Sequence, residues 1–540
     1  MASSVHAIPV VFAQRGRHSS GVRQGNARIH PPPKRRLGGW HRDEHTASRV
    51  SSCAFASSSS EAQIAPTTPG KTSDGGGYLA VEGGASLSGT VQVGGAKNSV
   101  LALLAGALTC SEKVVLTNVP DLNDVSSMCD VLRSVGVMID SSTKGTLIID
   151  ASNINSNAPS AESVTKLRAS FFVAGPLLAR TGRCEIVSPG GCAIGARPVD
   201  LHLLGFEALG ASVDTDNETG TITLSSSAAD GQPCPLKGAG DIKFRFPSVG
   251  ATHAVMCAAA LAVGDTTIHG AAAEPEVADL AAMLNACGAD ISGAGTDTIK
   301  IRGTGGGVDE SIRHTAAVPN VSSLRGCRHR SIPDRVEAGT FLVAAAVTNS
   351  SITIEPVIVE HLRATMRVLE HAGCSFTSAP LEASGNLLSR VTISPPACSV
   401  LNSIDFSTAP YPGVPTDMQP QLCVLATVAT GTSTINETVF ENRFSHVDEL
   451  RNMMGNMDDA DLKEDETKNQ RSIRGSNGSP LTPTNVTGTD LRATAALVLA
   501  GLCVEKNGTT NVNGLKHLDR GYERLDDKLK KLGAKIIRHQ

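Results

Sequence analysis

The sequence repeats six times after residue 77, and this repetition restricts the folds that the chain can adopt. In each unit an amphipathic stretch ends near a glycine and is followed by a strand-like run of alternating residues. The shared glycines recur at nearly even intervals along the chain, and they are Gly136, Gly210, Gly288, Gly373, Gly455 and Gly533. A glycine just after a helix commonly adopts the left-handed conformation, so each position predicts a helix-to-strand turn.

A second set of segments recurs in step with the first. These segments are rich in alanine and leucine and apolar on every side, as in SVLALLAGAL, ATHAVMCAAALA and RATAALVLAG. A helix of this composition is buried, so each unit is predicted to contain one buried helix, one amphipathic helix and several strands. The units are too long for solenoid repeats. Six repeat units of this length predict two α/β domains of three units each, with a ligand site in the cleft between the domains.

The N-terminal segment, residues 1–60, differs from the rest of the chain. It contains nine Lys and Arg against two acidic residues and is rich in serine, which is typical of an organelle transit peptide. The opening Met-Ala-Ser-Ser favours a plastid over a mitochondrion. A nuclear or nucleic-acid-binding tail is the alternative for the basic run Pro33–Arg36. We expect a transit peptide and a disordered linker over residues 1–76 and a location in the chloroplast stroma.

Charge and composition exclude several classes of function. Residues 1–60 carry a net charge of +7, so the remainder carries −11 against −4 for the whole chain. An acidic body disfavours nucleic acid as a partner. No apolar run approaches the length of about 18 residues that a membrane span requires. The 13 cysteines form no CxxC pair and no Cys/His cluster at zinc spacing, so we expect a reducing compartment and neither a structural metal nor a disulfide framework.

The stretch SPGGCAIGARPVD contains the strongest candidate for a reactive group. Cys192 lies between Gly190–Gly191 and Gly195, and Arg197 follows it shortly afterwards. Flanking glycines allow a loop to fold over a ligand, and a nearby guanidinium favours the thiolate over the thiol. The alternative is a buried, unreactive cysteine, but the surrounding glycines, proline and arginine predict a loop. We therefore take Cys192 as the first candidate for catalysis.

Charged residues at helix N-termini predict an anion-binding cleft. The helix dipole and free N–H groups already attract anions there, and an added cation strengthens the site. A lysine or arginine at this end opposes the dipole, which disfavours a purely structural role, although surface salt bridges are the alternative. The residues are Lys97 with Asn98, Arg168, Asp417, and Asp490 with Arg492, and Arg443 and Arg520 lie in comparable loops.

Two further loops come directly before predicted helices. FPSVGAT, which contains Ser248–Gly250, is suited to offering backbone amides to a phosphate. EPEVADL contains Glu274 and Glu276, whose carboxylates suit either catalysis or ordinary support of a helix N-terminus. The sequence leaves these two roles open.

Ten motifs occur along the chain in a fixed order: GGAKN, KLRASFF, PGGCAIGARPVDLH, PSVGAT, EPE, PDRVEAGTFLVAAA, PTDMQPQ, ETVFENRF, TDLRA and HLDRGYER. In this order they closely resemble the UDP-N-acetylglucosamine 1-carboxyvinyltransferases over residues 78–540. The cysteine loop is highly specific for this family. The shikimate-pathway enolpyruvyl transferase shares the fold but lacks that loop.

The resemblance implies a two-domain enolpyruvyl-transferase fold, which is an inside-out α/β barrel with six βαβαββ-like repeats. The catalytic domain with the cysteine loop is expected at residues 97–332, and the second domain at 77–96 plus 333–540. The implied reaction moves the enolpyruvyl group of phosphoenolpyruvate to the 3′-hydroxyl of UDP-N-acetylglucosamine and releases phosphate, which opens peptidoglycan precursor synthesis. It implies no metal, no organic cofactor and inactivation by fosfomycin, and we expect a monomer.

The resemblance also implies roles for individual residues. Cys192 would donate a proton and add covalently to the substrate, and Asp417 would be the general base at the sugar hydroxyl. Phosphoenolpyruvate would be held by Lys97, Asn98, Arg197 and Arg520, of which Lys97 and Arg520 also count as catalytic. The UDP-sugar would be held by Arg168, Arg197, Pro198, Val199, Asp200, Leu201, Phe246, Pro247, Ser248, Val249, Asp417 and Val439, and Arg443 and Arg492 would line the cleft.

Two segments depart from the family pattern. Residues 304–332 are expected to form a long surface loop, and the polar residues 456–489 lead us to expect that the fifth unit has lost a strand pair. Such a loss supports an alternative function, a UDP-sugar-binding protein without turnover. The shikimate-pathway transferase is a further alternative, and the acceptor that permits phosphate release distinguishes it.

Overall fold

The structure is a computed structural model that describes residues 77–188, 198–227, 234–305, 323–381, 387–455, 462–465 and 469–540. The predicted transit segment lies outside these residues, and so do Cys192 and Arg197. The description that follows concerns the compact unit formed by Thr72–Gln540.

The described part of the chain contains 23 strands. In chain order they are β1 (Tyr78–Glu82), β2 (Thr90–Gln92), β3 (Val114–Thr117), β4 (Met138–Asp140), β5 (Thr146–Asp150), β6 (Arg183–Val187), β7 (Ser212–Asp216), β8 (Thr221–Ser225), β9 (Gly240–Lys243), β10 (Val263–His269), β11 (Asp290–Ser292), β12 (Thr298–Thr304), β13 (Arg328–Arg330), β14 (Ile352–Val357), β15 (Ser375–Pro380), β16 (Ser389–Ser394), β17 (Asp405–Ser407), β18 (Thr432–Asn436), β19 (Leu462–Asp465), β20 (Gln470–Arg474), β21 (Asn485–Thr487), β22 (Thr509–Asn513) and β23 (Ile536–His539).

Helices alternate with these strands. In chain order they are α1 (Lys97–Ala107), α2 (Asn123–Arg133), α3 (Ala161–Lys166), α4 (Ala174–Thr181), α5 (Asp200–Ala208), α6 (Val249–Ala260), α7 (Pro275–Ala286), α8 (Arg335–Val347), α9 (Val359–His371), α10 (Gln419–Val428), α11 (Val447–Met453), α12 (Leu491–Leu502), α13 (Leu515–Leu518) and α14 (Leu525–Lys531). Two 3₁₀ helices cover Arg168–Val173 and Thr416–Met418. Within the described ranges, none of these helices has both the length and the apolar character needed to cross a membrane.

The described strands form six small sheets, one for each repeat, and β13, β2 and β1 each join a sheet whose other strands come from a distant part of the chain. The strand orders are β13-β3-β5-β4, β6-β8-β7, β11-β12-β10-β9, β15-β16-β14-β2, β17-β18-β20-β19 and β21-β22-β1-β23. Three of the sheets contain two parallel strands that are consecutive in the chain, and these pairs are β9/β10, β17/β18 and β21/β22. Parallel strands need a crossover connection, and in each pair a buried helix provides it. The predicted unit of one buried helix, one amphipathic helix and several strands is confirmed in all six repeats.

The six repeat glycines lie where the sequence predicts helix-to-strand turns. Their φ angles run from +72° at Gly455 to +113° at Gly533, and the other four lie between these values. A residue with a Cβ is strained in this region, so glycine is what allows the helix to stop and the chain to reverse. The predicted left-handed turn is confirmed at each position.

The buried side chains form two separate hydrophobic cores. The first core contains residues between Val100 and Leu324, and the buried helices α1, α4 and α6 lie at its centre. The second core contains residues from Leu79 to Val93 and from Val336 to Ile536, with α8, α10 and α12 at its centre. These two cores support the division into domains at 97–332 and at 77–96 plus 333–540, which we keep as a proposal.

Small residues let the buried helices approach closely. A Cβ added to Gly175 in α4 would lie 2.1 Å from the carbonyl oxygen of Ala254 in α6, so only glycine fits there. Five of the 12 residues of α6 are alanines, and all five are fully buried. The scarcity of large side chains thus brings helix backbones together and keeps the packing dense.

Two expectations about irregular segments are wrong. The fifth unit has not lost a strand pair, because β20 pairs with both β18 and β19 to complete a four-stranded sheet. Only one face of this sheet reaches the core, and in β20 the single fully buried residue is Ile473, so polar composition hid the strand. Residues 323–332 are not a loop throughout, since β13 pairs in parallel with β3. Residues 306–322 lie outside the described part of the chain.

Candidate active site

The chain crosses between the two cores twice, and the two crossings run side by side. Ala96 donates its N–H to the carbonyl of Ile332 (2.8 Å), and Asp334 donates its N–H to the carbonyl of Gly94 (2.9 Å). These crossings lead directly into α1 and α8, the buried helices that carry Lys97 and Arg335 at their first positions. The N-termini of two buried helices from different cores therefore meet at this junction.

Asp334 fixes this junction through its side chain. Its Oδ1 accepts hydrogen bonds from the backbone N–H groups of Val336 (2.8 Å) and Glu337 (2.9 Å) and so caps α8. Its Oδ2 accepts from the backbone N–H of Lys97 (3.1 Å) at the start of α1. One carboxylate thus satisfies free amides of both helices, which holds Lys97 at a defined point between the cores.

The side chain of Lys97 is buried and paired. Its Nζ lies 3.2 Å from Oδ2 of Asp124, and Oδ1 of Asp124 accepts a hydrogen bond from Nε of Arg520 (2.8 Å). Burial lowers the pKa of Lys97, and the Asp124 carboxylate opposes that effect. Because Arg520 belongs to the chain segment of the second core, Asp124 brings one cation from each side to the same place.

Asp417 organises a second set of charges. Its Oδ1 accepts from Nη2 of Arg443 (2.9 Å), and its Oδ2 accepts from Nη2 and Nε of Arg492 (3.0 and 3.2 Å). Burial raises the pKa of Asp417, but Arg492, Arg443 and Lys97 together hold it well below its usual range. The carboxylate is therefore ionised, and both of its oxygens are engaged.

These residues form one group, which we call the charged cluster: Lys97, Asp124, Asp417, Arg443, Arg492 and Arg520. Lys97 lies near enough to Arg492 and Asp417 for both charges to act on its pKa. Four cations face two carboxylates, and the cluster keeps an excess of positive charge even when the neighbouring Asp334 is counted. Such an excess favours anionic ligands that carry phosphate or carboxylate groups.

A tyrosine holds Arg492 in place. The guanidinium of Arg492 lies over the Tyr522 ring, with 5.1 Å between its carbon and the ring centroid. The Tyr522 hydroxyl is 2.9 Å from the hydroxyl of Thr340 and accepts from the amide of Gln421 at 3.0 Å. The ring and its polar neighbours are buried, so this network restrains the rotamer of Arg492.

Replacing Tyr522 with phenylalanine is expected to lower the free energy of unfolding by about 1 kcal/mol, because the amide of Gln421 and the hydroxyl of Thr340 lose a buried partner. Urea denaturation measures this change. Tyr78→Phe is the matched control, since that ring stacks on His539 at the end of the chain, and it should leave the unfolding midpoint unchanged. Equal midpoints for both variants would contradict a structural role for the Tyr522 hydroxyl.

A second group of predicted residues surrounds the starts of α5 and α6. Arg168 opens the 3₁₀ helix Arg168–Val173, and Asp200 in the first turn of α5 pairs with Arg245 at 2.5 Å. Burial, together with the charge of Arg168, lowers the pKa of His202 to about 4, so this imidazole is neutral at pH 7. Phe246 is 45% exposed and lies beneath the Arg245 guanidinium.

Ser248 shapes the start of α6. Its side chain accepts a hydrogen bond from the backbone N–H of Ala251 (3.3 Å), as an N-cap does, and Val249 begins the helix. A Cβ added at Gly250 would lie 2.8 Å from Nε2 of His202, so a larger residue here would displace the His202 side chain. The predicted loop before a buried helix is confirmed, and its free amides point out of the helix N-terminus.

The remaining predicted residues occupy more varied positions. Asn98 is half-buried in α1, Pro198 is exposed, and Val439 is 38% exposed in the loop after β18. Val199 and Pro247 are half-buried. Leu201 is 2% exposed and belongs to the first core, so only its main chain is able to face a ligand. Cys192 and Arg197 lie outside the described residues.

Glu274 and Glu276 contact the segment of the second core. Both oxygens of Glu276 are bound by Arg335, at 3.0 Å from Nε and 3.2 Å from Nη2. Glu274 accepts from the backbone N–H of Tyr411 (3.3 Å), and burial raises its pKa. Of the two roles left open, the contacts of Glu276 therefore favour a structural one, in which it joins α7 to α8.

Sequence reasoning missed Asp124, although it binds Lys97 and Arg520. In the sequence it is an ordinary acidic residue in the first turn of an amphipathic helix, and nothing local distinguishes it. Asp334 was also missed, but it has a detectable signal, because aspartate directly before a buried helix is a typical N-cap. Among the described residues, no group of three or more His, Cys, Asp or Glu side chains is arranged to hold a metal ion.

Known proteins resemble this chain along most of its length. The sequence profile of the EPSP synthase (3-phosphoshikimate 1-carboxyvinyltransferase) family matches residues 81–529. UDP-N-acetylglucosamine 1-carboxyvinyltransferase 1 of Caldanaerobacter subterraneus is 44% identical over 458 residues, which cover 85% of this chain and 98% of the relative. The protein of the same function name from Gloeobacter violaceus is also 44% identical, over 86% of this chain and 90% of its own length.

Solved structures agree with the sequence relatives. The enolpyruvyl transferase NikO from Streptomyces tendae superposes with a TM-score of 0.70 at 26% identity and covers 86% of this chain and 99% of its own. EPSP synthase from Acinetobacter baumannii gives a TM-score of 0.63 at 18% identity, covers 86% of this chain and 100% of its own, and supports the fold alone. The resemblance inferred from the ten motifs and the predicted fold class are both confirmed. The chain belongs to the EPSP synthase family of enolpyruvyl transferases and, within it, to the UDP-N-acetylglucosamine 1-carboxyvinyltransferases.

Proposed function

We propose that this protein transfers the enolpyruvyl group of phosphoenolpyruvate to the 3′-hydroxyl of UDP-N-acetylglucosamine and releases phosphate. The observation that carries this proposal is the charged cluster, in which cations from both cores meet around Asp124 and Asp417. Both substrates are anions, so an excess of buried positive charge suits them.

Lys97 and Arg520 suit the phosphate and carboxylate of phosphoenolpyruvate. They share the Asp124 carboxylate, which keeps an ammonium and a guanidinium within reach of one small ligand. The lysine is a compact point charge, and the arginine offers a planar fork that binds an oxyanion through two N–H groups. We assign Asn98 and Arg197 to the same ligand on the strength of the family resemblance alone.

The starts of α5 and α6 suit the UDP moiety. Free backbone N–H groups at these helix N-termini favour a diphosphate, and Arg168 adds positive charge nearby. The exposed ring of Phe246 offers an apolar surface beside them. The proposed UDP-sugar contacts are thus Arg168, Pro198–Leu201 and Phe246–Val249, with Val439, Arg443 and Arg492 on the side of the second core.

The proposed chemistry begins with proton transfer from the Cys192 thiol. The proton adds to the methylene carbon of phosphoenolpyruvate, and the neighbouring carbon becomes cationic. The 3′-oxygen of the sugar then bonds to that carbon while its proton passes to Asp417. Phosphate then leaves with the proton held by Asp417, and the Cys192 thiolate takes a proton back from the new methyl group, which restores the double bond and both catalytic groups. General acid and base groups of this kind typically accelerate a step about 10²- to 10⁴-fold.

Asp417 is able to act as a base only after it loses an arginine partner. In the described arrangement Arg443 and Arg492 occupy both of its oxygens and keep its pKa well below the usual range. We propose that the anionic substrates compete for these guanidinium groups when they bind. Release of one oxygen would raise the pKa of Asp417 towards its ordinary value and couple the base to the presence of substrate.

We also propose that the protein functions in a plastid, where its product would enter peptidoglycan precursor synthesis. The arginine- and serine-rich segment 1–60 supports a transit peptide. Relatives with this function name in Gloeobacter violaceus and a Synechococcus strain, at 44% and 43% identity, support a plastid-type origin. Fluorescence microscopy of the segment 1–76 fused to a fluorescent protein tests this location.

The acceptor distinguishes the proposed reaction from the shikimate-pathway reaction. Phosphate release from phosphoenolpyruvate is expected with UDP-N-acetylglucosamine and not with shikimate 3-phosphate, because the proposed site at the starts of α5 and α6 suits a diphosphate, which shikimate 3-phosphate lacks. A colorimetric phosphate assay measures both, with phosphoenolpyruvate alone as the control. Release with shikimate 3-phosphate would overturn the substrate assignment. Thermal stabilisation by UDP-N-acetylglucosamine without any phosphate release would instead support a binding protein without turnover.

A further inference from the structure

Three cysteines of the first core meet at the far end of α1 from Lys97. Cys110 follows α1, Cys287 follows α7, and Cys327 lies directly before β13. Cys110 and Cys327 both lie close enough to the Cys287 thiol to raise its pKa. The 11 residues of α1 separate this group from Lys97, which corresponds to about 16 Å along the helix axis. The three thiols therefore form a site apart from the charged cluster.

Main-chain contacts fix Cys327 against the last turn of α7. The carbonyl of Met283 accepts from the backbone N–H of Cys287 at 3.0 Å and from the thiol of Cys327 at 4.0 Å. The carbonyl of Cys287 in turn accepts from the backbone N–H of Arg325 at 2.9 Å. Cys287 and Cys327 thus share one acceptor and lie on chain segments that are bonded to each other.

The three thiols differ in access to solvent. Cys110 and Cys287 are 0% and 1% exposed, whereas Cys327 is partly exposed. The hydrogen bond from Cys287 lowers the pKa of Cys327, with the charge of the nearby His329 acting in the same direction. The pKa of Cys287 is raised by its hydrogen bonds to Cys110 and Cys327 and by burial. Cys327 is therefore the thiol that a reagent in solution reaches first, in its more reactive thiolate form.

We propose that Cys287 and Cys327 are a redox-active pair that forms a reversible intramolecular disulfide. The oxidant is a small-molecule disulfide such as oxidised glutathione. The Cys327 thiolate attacks one sulfur of the oxidant and releases the first glutathione thiolate. Cys287 then attacks Cys327 in the mixed disulfide, releases the second glutathione, and passes its own proton to it. Two protein thiols are oxidised and one glutathione disulfide is reduced to two thiols, so atoms and electrons balance.

The disulfide would join two chain segments that are distant in the sequence, the end of α7 and the start of β13. A bond across this separation restricts the unfolded chain and so favours the folded state. Cys287 and Cys327 are already held side by side, because the N–H of Cys287 and the thiol of Cys327 share the carbonyl of Met283. We expect oxidation to raise the melting temperature by about 3 °C, and a dithiol reductant to reverse the rise.

Mass spectrometry of the full chain tests this proposal. The protein is equilibrated in glutathione buffers of increasing oxidised fraction, free thiols are blocked with an alkylating agent, and tryptic peptides are identified. The expected result is a linked peptide pair containing Cys287 and Cys327, which appears with oxidation and disappears with reductant. Cys327→Ser should abolish the linked pair and the thermal shift. Cys398→Ser, which removes an exposed cysteine elsewhere, should preserve both.

The test uses Cys327→Ser because Cys327 is partly exposed. Cys287→Ser would place a hydroxyl among buried thiols, and that variant is prone to misfolding. The proposal would be overturned if Cys327 carried only glutathione, if Cys110 and Cys287 were linked instead, or if Cys287 and Cys327 stayed reduced while Cys398 was oxidised. These readouts do not use catalysis. Failure of the proposed transferase activity would therefore leave the thiol result intact.

Discussion

Replacing Asp417 with asparagine is expected to lower the free energy of unfolding by roughly 3 kcal/mol, because Arg443 and Arg492 would stay buried without a counter-charge. Asparagine has nearly the same shape and keeps one oxygen that accepts hydrogen bonds, so the substitution removes mainly the charge. The same variant is expected to lose turnover by about 100-fold or more, since the proposed general base is gone. Urea denaturation and phosphate release measure the two effects.

The matched control is Asp448→Asn, which breaks the exposed pair with Arg451. It should change stability by less than about 0.5 kcal/mol and leave turnover unaffected. Since the pKa of Asp417 is lowered in the folded protein, its contribution is complete above the ordinary aspartate pKa of about 4 and is lost as the pH falls below that value. Asp417→Asn should therefore lose less stability on acidification than the parent protein. Equal stability losses for the two substitutions would contradict the role of Asp417 in the charged cluster.

Replacing Cys192 with alanine is expected to reduce turnover by about 10²- to 10⁴-fold, because no other residue is proposed to protonate phosphoenolpyruvate. Steady-state phosphate release with both substrates measures the loss, and circular dichroism establishes that the variant is folded. Cys192→Asp should keep part of the activity, since a carboxylic acid is also able to donate a proton. This partial rescue separates proton donation from a covalent role of the sulfur.

Two further experiments test whether the loss of turnover is specific to the Cys192 thiol. Cys398→Ala, at an exposed position outside the proposed site, should retain full turnover. Fosfomycin is expected to inactivate the parent protein through Cys192 and to have no covalent target in Cys192→Asp. Full turnover by Cys192→Ala would remove the thiol from the mechanism, and so would full activity of the parent protein after prolonged exposure to fosfomycin.

Features that depend on local periodicity were predictable from the sequence. The buried helices, the six repeat glycines and the cations at helix starts all have signals within a short stretch of chain, and the structure has them where the sequence predicts. Lys97 at the first position of α1 and Arg492 in the first turn of α12 are examples. The family motifs are local signals of the same kind, so the fold class could be inferred from the sequence.

Features that depend on contacts between distant residues were not predictable in this way. Asp124 and Arg520 are 396 residues apart, and nothing in either segment indicates that they meet. The polar strands β13 and β20 pair through their main chains, so hydrophobic alternation did not reveal them. Cys110, Cys287 and Cys327 appear scattered in the sequence and come together only because α1, α7 and β13 pack in one core.

The most direct test of enolpyruvyl transfer is a stoichiometric measurement of both products. The chain from residue 77 onwards is incubated with phosphoenolpyruvate and UDP-N-acetylglucosamine, and mass spectrometry of the nucleotide sugar is combined with a phosphate assay. The expected result is a UDP-sugar that carries one added enolpyruvyl group for each phosphate released. An unchanged UDP-sugar, or phosphate release in its absence at the same rate, would contradict the proposed transfer.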